Sequence, residues 1–251
     1  MKNEIKKIRK DLSLYLSSIE EDVFLPADYS GSNKKKEPLH SFEMNQNLSR
    51  EEKMTLLAQE VLNCRKCLLG LSRLNAVFGT GDSSASLMFI GEGPGFDEDH
   101  TGQPFVGRAG QLLDKILAAM NLSREKVYIA NIVKCHPMIN PEDPQSRGND
   151  RPPSSAEISM CRGYLERQID IIAPKVIVTL GNVPTRFMLN ETRGISQLRG
   201  KSYEIPSGLF SFKCSPLVFP TYHPAALLRN PNLKKDTWAD MKAVMAHLGL
   251  K

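Results

Sequence analysis

The most definite chemistry in this sequence belongs to sulfur. Cys64-Arg65-Lys66-Cys67 is a C-x-x-C pair at the end of a predicted helix, Cys135 follows a predicted strand, and Cys161 lies within a later helix. Two close thiolates and two distant ones make a tetrahedral four-sulfur set that suits zinc or an iron–sulfur cluster. A dithiol redox pair is the competing reading of the C-x-x-C. Spacing alone does not choose the third and fourth ligands. Cys214, near the last predicted strand, reads as a packing residue.

Two loops carry the remaining candidates. Gly91-Glu92-Gly93-Pro94-Gly95 ends an apolar run, at the point where open α/β sheets bind ligands. It lacks the lysine of a P-loop and the spacing of a dinucleotide turn. The following Asp97-Glu98-Asp99 would repel the phosphates of a mononucleotide. A glycine-lined bend followed by Phe105 suits instead a flat ring slid into a slot. The second loop is Thr221-Tyr222-His223-Pro224-Ala225, where a histidine fixed by the next proline can aim an N–H into the same crevice. Asn131 closes another apolar run. Either His223 or Asn131 alone is readable as a structural residue, but polar groups gathered at one sheet edge point to a site.

The elements that must position these groups alternate in type. Apolar runs at residues 87–90, 127–133, 175–180 and 217–221 predict short buried strands. Helical spacing predicts helices over residues 55–63, 108–120, 154–172 and 235–248, the third opening on a Ser154-x-x-Glu157 capping box. Strands separated by helices predict a parallel sheet covered on both faces. Residues 138–153, rich in Pro, Asn and charge, read as a surface excursion.

The first fifty residues differ from the rest. Ile5, Ile8, Leu12, Leu16, Ile19 and Phe24 fall near a helical period, and Lys34-Lys35-Lys36 then sits in a Gly/Ser/Asn/Pro stretch that reads as linker. With nine basic against eight acidic residues this segment is not a basic arm. It reads as an appended amphipathic helix for the domain or a protein partner, with a nucleic-acid tether as the alternative. The division expected is an extension over residues 1–50 and a catalytic domain over residues 51–251. The 251-residue chain is 41% hydrophobic and 24% charged, which excludes a disordered chain, a collagen-like repeat and a coiled-coil rod. No apolar stretch is long enough to cross a bilayer and no signal-peptide pattern opens the chain, so a cytoplasmic protein without a membrane partner is expected. A net charge of +5 permits a polyanionic partner without naming one.

Taken in order, GEGPGFDEDHTGQPFVGRAGQLLD, NIVKCHP, CRGYLERQI and TYHPA resemble the family 4, iron–sulfur branch of the uracil-DNA glycosylase superfamily, over about residues 55–250. The resemblance implies a three-layer α/β/α sandwich around a four-stranded parallel sheet, and a monomeric base excision repair hydrolase. Its substrate would be uracil in single- or double-stranded DNA, left as an abasic site. It implies that Cys64, Cys67, Cys135 and Cys161 hold a [4Fe–4S] cluster. Phe105 would stack on the flipped uracil, Asn131 would read its edge, and Glu98 would crowd the 5-methyl group of thymine. Gly91, Gly93, Pro94 and Gly95 would shape the pocket, with His223 as the donor to uracil O2. Some relatives carry Asp or Asn where Gly93 stands, so Glu92 becomes the candidate for holding water. Arg108, Leu228 and Arg229 would meet DNA, with Leu227, Lys234 and Lys235 as further candidates. Three departures stand out: a long interval between Cys135 and Cys161, Phe96 in place of an acid, and the first fifty residues. The rival readings are a uracil-DNA-binding protein of the same superfamily that hydrolyses nothing, and an α/β redox or nucleotide-binding protein using Cys64 and Cys67.

Overall fold

A computed structural model describes residues 48–250 of the chain. The expected helix and linker of the first fifty residues lie almost wholly outside the described residues. Helix α1 (Arg50–Leu62) begins at Ser49, whose Oγ accepts the Glu52 N–H at 3.1 Å while the Glu52 carboxylate accepts the Ser49 N–H at 2.7 Å. This reciprocal cap satisfies two donors that a helix start leaves unpaired. Met54, Leu57 and Val61 form its buried stripe. After α2 (Leu68–Ser72) come the strands β1 (Thr80–Gly81) and β2 (Leu87–Gly91), then helices α3 (Phe96–Thr101) and α4 (Arg108–Ala119). A 3₁₀ turn at Arg124–Lys126 leads into β3 (Tyr128–Asn131). The long helix α5 (Ser155–Ile172) follows residues 138–153 and carries the Ser154/Glu157 capping box expected from its sequence. The chain continues through β4 (Val176–Leu180), α6 (Asn182–Leu189), α7 (Ile195–Leu198), β5 (Leu217–Thr221), α8 (Pro224–Arg229) and α9 (Leu233–Leu248).

The strands form one sheet in the order β1-β3-β2-β4-β5. The four longer strands are parallel, as expected. The fifth, β1, is a two-residue edge strand paired antiparallel to β3, with Thr80 opposite Ile129 and Gly81 opposite Tyr128. It is too short to leave a sequence pattern. Pro220 sits in β5 at the other edge, the place in a sheet where a missing N–H is tolerated.

Successive side chains point to opposite faces of each strand, and the sheet accordingly has two cores. Met88, Ile90, Ile177 and Val218 pack beneath α1 and α5, in a cluster with Leu57, Leu165 and Ile169. Leu87, Phe89, Val176, Val178 and Phe219 pack on the other face with Leu113 and Leu117 of α4 and Met241 and Val244 of α9. Three layers result. Parallel register sets Gly91 beside Asn131 and Leu180 beside Thr221, so the loops that follow β2, β3, β4 and β5 open at one edge. No helix among the described residues is long and apolar enough to cross a membrane.

Candidate active site

At that edge lies a cavity of about 680 Å³. It gathers Glu92, Gly93, Pro94, Gly95, Glu98, Phe105, Asn131 and His223 from four separate loops. Arg108 and Arg229 also line it, while Leu228 does not.

Its floor is a contact among three residues. A Cβ placed on Gly91 would lie 2.3 Å from Asn131 Oδ1 and 2.5 Å from Phe105 Cζ, so only glycine lets these two side chains meet. Gly91 therefore lies behind the cavity and does not line it. Asn131 is 2% exposed, and its Oδ1 has no hydrogen-bond partner among the described residues. A buried carbonyl oxygen left unpaired costs free energy, and a ligand N–H would remove that cost. Phe105 holds a left-handed backbone, φ 54°, that a bulky residue adopts only under constraint. The constraint comes from Arg124, whose guanidinium donates to the carbonyls of Pro104 (2.8 Å) and Phe105 and pairs with Asp114 at 2.6 Å. Gly110 in α4 makes the bend possible, since its Cβ would fall 1.7 Å from the Phe105 carbonyl oxygen. Neither Arg124 nor Gly110 was singled out by sequence spacing. Only the backbone path of Phe105 reveals them.

His223 caps α8. Its Nδ1 accepts the Ala225 N–H at 3.1 Å, which leaves the ring proton on Nε2. Burial, and then the charge of Arg229, pushes its pKa down to about 4. At neutral pH it is therefore an uncharged ring with one N–H donor, its centroid 5.7 Å from that of Phe105. The Glu92 carboxylate makes no hydrogen bond among the described residues, and burial raises its pKa above the ordinary carboxylate range.

The acidic run also has a bracing role that its sequence did not suggest. Glu98 accepts the N–H groups of Gly95 (3.1 Å), Val106 (2.9 Å) and Gly107 (3.0 Å), clamping the two loops that flank the slot. Asp99 is fully buried and accepts the N–H groups of Leu74 and Asn75. Asp97 alone stays at the rim, paired with Arg147 at 3.1 Å. Glu98 and Asp99 thus brace loops in addition to contributing negative charge at this edge.

Residues 138–153 are more than a surface excursion, because Arg147, Asp150 and Arg151 form one wall of the cavity. Asn149 stitches this segment internally through Asn140 and Asp143. His136 Nε2 ties it to the core through Asp150 Oδ1 at 2.7 Å. The Arg147 guanidinium lies 4.4 Å from the Phe96 ring, which is itself stacked on His100.

Leu227 and Leu228 separate. Leu227 is 2% exposed and packs beside Trp238 and Met241, whereas Leu228 is 40% exposed. Leu227 is thus a packing residue. Lys234 lines that same small apolar groove away from the cavity, and Lys235 is exposed outside the cavity lining.

The four cysteines lie on the face of the sheet that carries the core beneath α1 and α5. All pack on that core, and Cys135 and Cys161 are each close enough to sense the charge of two other cysteines of the set. No three side chains among the described residues are arranged as a closed metal-binding group. The donor chemistry nevertheless fits a cluster. Burial pushes the Cys135 thiol up to about 12, so a bound cation is what would hold it as thiolate. Arg73 Nη1 already donates to its sulfur at 3.0 Å. Cys214 stands apart, its Sγ 3.6 Å from the Ile169 carbonyl, as a packing residue.

The family model of the uracil-DNA glycosylase superfamily matches residues 78–242. A type-4 uracil-DNA glycosylase of Sulfurisphaera tokodaii is 44% identical over 194 residues, covering 75% of this chain and 81% of the relative. Its counterpart in Archaeoglobus fulgidus is 39% identical over 204 residues, 80% of this chain and 96% of the relative. That of Thermotoga maritima is 40% identical over 183 residues, 72% and 86%.

Proposed function

The chain belongs to the uracil-DNA glycosylase superfamily, and from that premise we propose that it hydrolyses the N-glycosidic bond of uracil in DNA, leaving an abasic site for base excision repair. The observation that carries this reading is the slot between Phe105, Asn131 and His223, whose unpaired groups match one flat base. A base buried in a duplex must be extruded to reach it, at a cost of a few kcal/mol. Phe105 then supplies a stacking face. Asn131 Oδ1 accepts N3–H of uracil while its amide donates to O4. Cytosine presents the opposite pattern at both atoms and would leave the buried amide unpaired.

When the C1′–N1 bond breaks, its electron pair moves onto the base and charge collects at O2. The His223 Nε2–H donates to that oxygen more strongly in the transition state than in the ground state, which is the condition for acceleration. A neutral ring does this without placing a second charge in the slot. Glu92 holds the water that adds to C1′ and accepts its proton. Pro94 and Gly95, fixed by Glu98, keep bulk water from the base. Arg108 and Arg229 at the mouth contact phosphates, with Leu228 beside them to enter the gap left by the extruded base.

Cys64, Cys67, Cys135 and Cys161 would hold the [4Fe–4S] cluster. When bound it supplies a rigid cross-link between α1, β3 and α5, since the hydrolysis transfers no electrons. The protein would act as a monomer in the cytoplasm, where cysteines stay reduced. The test is incubation of the pure protein with a uracil-containing oligonucleotide, followed by alkali. Strand cleavage at the uracil position is expected. Retention of an intact, bound strand would overturn hydrolysis in favour of simple binding.

A further inference from the structure

Lys134 is 1% exposed and takes no part in the steps above. Its Nζ donates to the Asn131 carbonyl at 2.8 Å and to Gln168 Oε1 at 2.6 Å. Gln168 in turn donates to the Phe78 carbonyl and to the Tyr128 hydroxyl. The same lysine lies close enough to Cys161 for their charges to interact, and Cys135 is the next residue in the chain. One residue thus ties the backbone of the base-reading asparagine to the helix that carries Cys161, and it lies near the sulfur group.

Stability alone is a poor reason for this arrangement. Taking an ammonium out of water is costly even with two acceptors and the Cys135 and Cys161 sulfurs nearby, and an apolar side chain of similar length would fill the space at less cost. We propose that Lys134 is a positioning residue: it fixes the backbone of Asn131 against α5, so that the base slot and the sulfur site share one register. The inference rests on the uracil-excision reading and deepens it, because it names what holds the specificity residue in place.

The experiment is a double-mutant cycle on the holoprotein, with single-turnover excision measured for the wild type, Lys134→Met, Asn131→Ala and the pair. Acid-labile sulfide per chain and calorimetric affinity for free uracil are measured alongside. Misplacing a reacting group by about an ångström costs up to about 100-fold, so Lys134→Met should lose about 10- to 100-fold in rate and bind uracil more weakly. Its sulfide content should stay at the wild-type level. In the Asn131→Ala background the same change should cost less than about twofold, since nothing is left to position. Equal losses in both backgrounds, or a loss fully accounted for by missing sulfide, would overturn the proposal and leave Lys134 a scaffold residue. Should Lys134→Met fail to fold, Gln168→Met removes one of the two Nζ acceptors and enters the same cycle with the same expectations. Absence of turnover by the wild type would instead sink the excision reading, and this inference with it.

Discussion

His223 offers the sharpest test because its ring performs two separable tasks. Its Nδ1 caps α8 by accepting the Ala225 N–H, and its Nε2–H is the proposed donor to the base in the cavity that His223 lines. In His223→Asn the carboxamide oxygen can take the place of Nδ1 and keep the cap, but nothing reaches the position of Nε2–H. His223→Ala removes both. Loss of a donor to a developing oxyanion costs about 2.7–4 kcal/mol, or about 10²- to 10³-fold in rate, and loss of a cap costs about 1 kcal/mol of stability. Both variants should therefore slow single-turnover excision by about 10²- to 10³-fold. Only His223→Ala should also melt lower, by about 2–4 °C for a domain of this size. The ring's pKa, lowered to about 4, adds a pH criterion. The unfolded chain takes up a proton near 6.5 and the folded one does not until about 4, so the stability contributed by the neutral ring is complete above pH 6.5. It is lost as pH falls from 6.5 through 4, and between pH 7 and 8 the rate should show no step from this group. A His223→Asn variant within about threefold of the wild-type rate would refute the donor role.

Gly91→Ala should close the slot, because its Cβ would overlap both Asn131 Oδ1 and Phe105; excision should fall at least about 100-fold in a chain whose circular dichroism is unchanged, the scale of a misplaced reacting group. Asn131→Asp retains the acceptor for N3–H but sets a carboxylate against uracil O4, so kcat/KM should drop by at least about 100-fold, as expected where buried polar groups lose their match. Glu92 is raised by burial, so if its carboxylate holds the water the rate should climb with pH through that raised value, and Glu92→Gln should abolish this limb of the profile. Arg229→Ala should weaken DNA binding and reduce by about 1 the slope of log K against log salt, leaving the preference for uracil over cytosine unchanged.

What the sequence made legible follows from how local each signal is. The runs ending in Gly91, Leu180 and Thr221 are buried on both faces and read as strands without help from the rest of the chain. The cap at Ser154 was visible as a motif. The equivalent cap at Ser49 was not picked out, because a polar first turn, Arg50-Glu51-Glu52, hides the helix start, and α1 begins five residues before the apolar spacing suggests. Asn131, Phe105 and His223 were legible as candidates since each follows or ends an element at one sheet edge. The bracing of the slot was not. Arg124 reaches back 19 residues to Phe105, Asp99 reaches 25 residues to Leu74, and His136 reaches 14 residues to Asp150. None of these separations carries a periodic signature. The adjacent Leu227 and Leu228 looked equivalent in sequence, and only the packing of α8 against α4 buries one and exposes the other.

The distribution of charge explains how a chain of only +5 can bind a polyanion and still read a neutral base. Glu98 and Asp99 are held by backbone N–H groups and Asp97 is paired with Arg147, so these carboxylates are fixed away from the two arginines at the mouth. Arg108 and Arg229 are exposed there and have no carboxylate partner among the described residues, which leaves them free for phosphate. The floor is uncharged at neutral pH, with a neutral His223, an amide and an aromatic ring. Phosphate attraction fades with distance and salt, whereas the match at the buried floor depends on hydrogen-bond direction. The proposed roles therefore place affinity and discrimination on different residues. A modest net charge then becomes an advantage, because stronger nonspecific attraction would hold the enzyme on undamaged DNA without sharpening its choice of base.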